Sequence, residues 1–121
     1  MTAHELFLRA LDMLGYVEPN GHFDDTLQKK ALSAVNAIYA DLYYLLNDSG
    51  FVPAKKLTDT INLPKRVLYD VACYGVAMHL SLLEADSLNE QIFATLYNSK
   101  RISVSNSDKI YDCIVSPVLE V

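Results

Sequence analysis

The feature that most constrains this chain is the run from Val67 to Leu83, where only Asp70, His79 and Ser81 are plainly polar. Read as a helix, the run is apolar on nearly every side, so other elements or lipid must surround it. Its length is at the short limit for crossing a bilayer, and it carries an aspartate and a histidine near its two ends. It therefore reads as a central core helix, with no membrane insertion, and the rest of the chain reads as its wrapping.

The wrapping is predominantly helical. Thr2-Ala3-His4-Glu5 has capping-box spacing, followed by an apolar stripe from Leu6 to Leu14 and a stop at Gly15. Tyr16–His22 holds the turn Glu18-Pro19-Asn20-Gly21. A second helix begins at Asp24 or Asp25, whose carboxylates suit a helix start, and runs to about Asn47. Asn47-Asp48-Ser49-Gly50 breaks it. Phe51–Pro64 lacks helical period and reads as an extended arm or a short strand pair, with Pro64 opening the central helix. Ser87-Leu88-Asn89-Glu90 is a second capping-box pattern, starting a helix through Ile92, Phe93, Leu96 and Tyr97 to Lys100-Arg101. Ile102–Val121 reads as a polar linker and an extended apolar tail, because Pro117 precludes a regular helix there.

The expected fold is thus all-α: about four helices in a small bundle, an extended arm between the second and third, and an extended C-terminal tail. Residues 1–101 form the helical domain and 102–121 the linker and tail. Composition agrees, since 121 residues with 51% hydrophobic content make one domain with a core. Gly and Pro number only four each, which suits helices.

Function classes can be weighed on the same residues. His4, His22 and His79 are dispersed, and no pair has helical metal-ligand spacing, so no metal or cofactor is expected. His79 reads as a core histidine and Cys73 as a reduced core thiol; Cys73 and Cys113 form no disulfide framework. Asp24-Asp25 is better read as a cap than as a catalytic pair, and Asp70 as a partner of the helix dipole or of Lys65 and Arg66. There is no phosphate loop or nucleophile elbow, and the chain is expected not to be an enzyme. The net charge of −5 opposes a basic nucleic-acid face, and the doublets Lys29-Lys30, Lys55-Lys56, Lys65-Arg66 and Lys100-Arg101 read as solvated helix ends or loops. The arm between the long helices is far longer than a helix-turn-helix turn. Tyrosine occurs eight times, with Tyr39, Tyr43 and Tyr44 grouped on the second helix and Tyr69 and Tyr74 on the third. This grouping reads either as ordinary core-edge packing or, because tyrosine is enriched at interface cores and the third helix is apolar on nearly all sides, as a surface completed by other subunits.

The order of elements resembles the head–tail connector (neck adaptor) family of long-tailed bacteriophages. The likeness is carried by Leu57-Thr58-Asp59-Thr60-Ile61-Asn62-Leu63-Pro64 leading into Val71–Leu80, and by Phe93-Ala94-Thr95-Leu96-Tyr97-Asn98-Ser99-Lys100-Arg101. The resemblance implies a structural subunit of the virion neck, assembled in the host cytoplasm. It implies a homo-oligomeric ring, usually a dodecamer, that docks beneath the portal protein. Such a ring extends the DNA channel without sequence-specific binding and gives a platform to the stopper or tail-completion protein. Candidate subunit or portal contacts are Tyr39, Tyr43, Tyr44, Lys55, Lys56, Tyr97, Lys100, Arg101, Ile110, Tyr111 and Ile114. The alternative is a small helical DNA-binding or regulatory protein of a mobile element.

Overall fold

The computed structural model describes residues 1–16 and 25–115, with side chains described at all of these except 25, 27 and 105–115. Four helices follow in chain order: α1 (Ala3–Leu14), α2 (Asp25–Leu46), α3 (residues 65–83) and α4 (Ser87–Val115). The expected turn in 17–22, the choice between Asp24 and Asp25 as cap, and the chain beyond Val115 lie outside the described residues. Among the described residues no helix is long and apolar enough to cross a membrane.

Helix α3 is the centre, packed against α1, α2 and α4. Val67, Leu68, Val71, Ala72, Cys73, Val76, Ala77 and Leu80 are all buried, which is how so apolar a segment escapes water. A π-helical turn, Leu68–Ala72, interrupts it between α-helical Lys65–Val67 and Cys73–Leu83. The wider turn leaves Tyr69 and Asp70 outside while Val67, Leu68, Val71 and Ala72 all reach the core. The expectation of burial on every side fails at the C-terminal end, where Leu82 is 61% and Leu83 40% exposed. Cys73 is a buried free thiol that donates to the Leu68 carbonyl (3.1 Å), and burial pushes its pKa up.

The helix ends show local chemistry. The Thr2 capping box forms as its spacing predicts: Thr2 Oγ1 accepts from the Glu5 N–H (3.2 Å) and Glu5 Oε1 from the Thr2 N–H (2.9 Å). Gly15 closes α1 in the left-handed conformation (φ 73°), where a Cβ would be strained. The second box is corrected. Asp86, not Ser87, caps α4, its carboxylate accepting from the Asn89 backbone N–H (3.3 Å) and side chain (2.7 Å). Ser87 is already helical. Tyr16 donates to the same carboxylate (2.8 Å), tying the end of α1 to the α3–α4 turn.

The fourth helix also passes its expected end. Residues 102–104 continue it beyond Arg101, and Val104 is buried on the face that carries Phe93 and Tyr97. No glycine or proline lies between Arg101 and Ser116 to stop it.

The arm, residues 51–63, forms no strand pair. Among the described residues one antiparallel bridge joins Thr2 and Thr60, and the rest of the arm is held by non-repetitive bonds. The α1 N-terminus donates Ala3 N–H to the Asp59 carbonyl and His4 N–H to the Leu57 carbonyl, both 2.9 Å. Ile61 N–H returns a bond to the Met1 carbonyl (3.0 Å). On α2, Asn36 clasps Ala54 from both sides, donating to its carbonyl (2.9 Å) and accepting its N–H (2.8 Å). Replacing Asn36 by Ala should leave the helices folded, cost about 1 kcal/mol and make the Ala54 region the first site cut in limited proteolysis. An unchanged cleavage pattern would show that apolar packing of Ala54, Ile61 and Leu63 alone holds the arm.

Candidate functional site

The residues expected to face other subunits fall into three groups. The first lies between α2 and α4. Asp41, half-buried on α2, accepts from the Tyr97 hydroxyl (2.5 Å) and from Arg101 through Nε (2.7 Å) and Nη2 (2.9 Å). Burial pushes the Asp41 carboxyl up, but the hydrogen bonds from Arg101 and Tyr97 and the guanidinium charge outweigh it, so its pKa is lowered. Burial, reinforced by Asp41, raises the Tyr97 hydroxyl, which stays protonated as a donor. Tyr97 is 3% exposed, so it serves this chain's core and offers no side chain to a neighbour. Arg101 shares with Ala40, Asp41, Tyr44 and Leu45 an open depression of about 340 Å³. Both oxygens of Asp41 are engaged, so the cluster locks α4 to α2.

The second group is aromatic. Tyr39, Tyr43 and Tyr44 converge on Phe51, the first residue of the arm, with ring centroids 5.0, 5.8 and 5.8 Å from it. Tyr39 is 5% exposed, and its hydroxyl accepts the Asn62 N–H (3.1 Å), so it too faces inward, contrary to the expectation from the sequence. Tyr43 is half-buried, and Tyr44 and Val52 are mostly exposed. Lys55 and Lys56 follow on a turn whose backbone N–H groups both bond the Asp59 carboxylate (2.8 and 3.1 Å). Those bonds lower the Asp59 pKa and leave the lysines exposed. Phe51 escaped sequence reasoning because it sits just beyond a helix breaker, where period carries no signal.

The third group is on α4. Lys100 lies over the Tyr74 ring (4.7 Å to the centroid), and Tyr74 in turn packs on Phe93. The apolar positions that looked like one stripe divide into two. Phe93 and Tyr97 point inward, whereas Leu88 (69%), Ile92 (46%), Leu96 (38%) and Ile102 (59%) are exposed. Ile110, Tyr111 and Ile114 lie where side chains are not described.

Other singled-out residues take structural places. His79 is half-buried, and burial lowers its pKa, so it is neutral near pH 7. Asp70 is exposed in the π turn, and Arg9 lies over Tyr69 nearby (4.7 Å). No group of His, Cys, Asp or Glu that could hold a metal ion exists among the described residues.

These features define the chain as an all-α domain of four helices whose arm is clasped to α1 and α2, with exposed apolar side chains on α4 and at the end of α3 among the described residues. Comparison with protein families, curated proteins and solved structures returns no match.

Proposed function

We propose that the chain is a structural subunit of a phage head–tail connector ring. It docks beneath the portal, extends the DNA channel and presents a platform for the stopper or tail. The observation that carries this reading is the arm: a non-helical segment between α2 and α3, held on a helical scaffold by backbone bonds and by Asn36. It leaves Val52, Lys55 and Lys56 at the surface, and Phe51 at its start packs against Tyr44. Such a segment has the shape of a contact element, since rings form through heterologous contacts in which an arm or patch meets a different surface of the next subunit. A net charge of −5 suits a channel wall along which DNA slides without being held.

Mixing the purified chain with a phage portal protein from the same genome and imaging the product tests this. A ring of the chain stacked on the portal is expected. Failure to bind portal, with salt-dependent binding of duplex DNA instead, would assign the chain to regulation of a mobile element.

A further inference from the structure

Over residues 87–103 the outward face of α4 carries no charge. Every exposed position from 87 to 103 is uncharged: Ser87, Leu88, Gln91, Ile92, Thr95, Leu96, Asn98, Ser99, Ile102 and Ser103. The charged residues of that stretch, Glu90, Lys100 and Arg101, are at the half-buried positions. Thr95 returns its hydroxyl to the Gln91 carbonyl (3.0 Å), so it shows a methyl rather than a free donor to the surroundings. An exposed helix normally puts Lys and Glu on this side.

The missing charge narrows the occupant. Nucleic acid and anionic lipid headgroups need Lys or Arg on the contact face or along its edge pointing outward. The centre of a protein interface, by contrast, is depleted of charge. A second copy fits with the fewest assumptions, because an uncharged apolar patch is complementary to itself, and an isologous contact uses one patch twice. The pattern along α4 suits an antiparallel pair. Ile102 lies about four helical turns beyond Leu88, which brings the two to nearly the same side of the helix at a separation of roughly 21 Å. A two-fold axis near Thr95 then sets Leu88 of one copy against Ile102 of the other, with Ile92 and Leu96 beside the axis. This strip offers on the order of 500 Å² per copy, or about 1,000 Å² in total, the size at which specific protein interfaces begin.

We infer that the α4 outer face is the seam of an antiparallel homodimer of the free chain, with Leu88 packed on Ile102 across a two-fold axis. The inference goes beyond the connector reading and stands independently of it. Equal neighbours in a polar ring are not related by such an axis, so this pairing belongs to the chain before it docks.

Sedimentation equilibrium of the full chain without portal tests it, with circular dichroism confirming that each variant is folded. At roughly 100 µM chain, suited to an interface this small, the wild type is expected at dimer mass. Leu88→Glu and Ile102→Lys should each weaken association about tenfold or more, by burying an unpaired charge. The double variant Leu88→Glu/Ile102→Lys should restore the dimer, because the antiparallel seam places the two new charges opposite each other. A monomeric wild type, single variants that still dimerise, or a double variant that stays monomeric each overturns the seam. So does a monomer that floats with neutral phosphatidylcholine vesicles through Leu88 and Ile102, which would assign the face to lipid. None of these outcomes bears on whether the chain docks on a portal.

Discussion

Gly75→Ala should destabilise the fold by about 1–3 kcal/mol, the range for overpacking a well-filled core, even though alanine is the better helix former. Gly75 lies inside α3, where the exchange would ordinarily gain about 1 kcal/mol. A Cβ there would stand 2.7 Å from Tyr97 Cε1 and 2.8 and 2.9 Å from Ile38 Cγ2 and Cδ1, closer than real contacts allow. Neither neighbour can retreat freely. Ile38 is 4% exposed, and Tyr97 is tethered through its hydroxyl to Asp41, itself gripped by Arg101. Glycine is thus required by the close approach of α2 and α4 to α3 rather than by a turn. Urea midpoints of wild type and variant decide it, and a variant as stable as wild type would mean that Tyr97 and Ile38 can move aside at no cost.

Asp41→Asn should cost about 1–2 kcal/mol, below the upper range for hydrogen bonds to charged groups because the two side chains are about a third exposed and solvent screens them. The effect should depend on pH with a determined sign. The folded-state pKa of Asp41 is lowered, so unfolding raises it and takes up a proton in acid. The stabilisation is therefore fully present above the ordinary aspartate value of about 4 and is lost as pH falls through the folded value. Wild type and Asp41→Asn should differ most at neutral pH and converge in acid. A stability gap that stayed constant from neutral pH into acid would show that the carboxylate charge contributes nothing. The same variant should loosen Arg101 and Tyr97 together, since they share one acceptor.

The central helix, the box at Thr2 and the stop at Gly15 were all legible from sequence, because each depends on residues within a turn or two of one another. What escaped depends on distance or on direction. Asp41 and Arg101 are sixty positions apart, and no local pattern couples them. Ile92-Phe93 and Leu96-Tyr97 are adjacent apolar pairs, so either member of each pair could have faced inward. Tertiary packing chose the aromatic rings, which bury the larger area against α2 and α3, and left Ile92 and Leu96 outside. The tyrosines showed the converse. Tyr39 and Tyr97 both stood among the candidate subunit or portal contacts, whereas each hydroxyl finds a partner within the chain and its ring fills the core. The π turn also left no trace, because a segment apolar on nearly every side tolerates a change of phase without burying its one charged residue, Asp70.

The clasp between the arm and the start of α1 has a consequence for synthesis on the ribosome. Two of the first amides of α1 are satisfied by carbonyls of residues 57 and 59, and Met1 is bonded by Ile61. Bringing positions so far apart together costs roughly 3–4 kcal/mol of chain entropy, and the contact cannot exist until the arm has been made. At 5–20 residues per second, the finished α1 sequence waits roughly 2–10 s for those partners. During that interval its buried face of Leu6, Phe7 and Ala10 can meet α2 but not α3, which is still to be made. Helix α1 is thus translated well before the arm that holds its start, and stays unclasped until residues 57–61 are made.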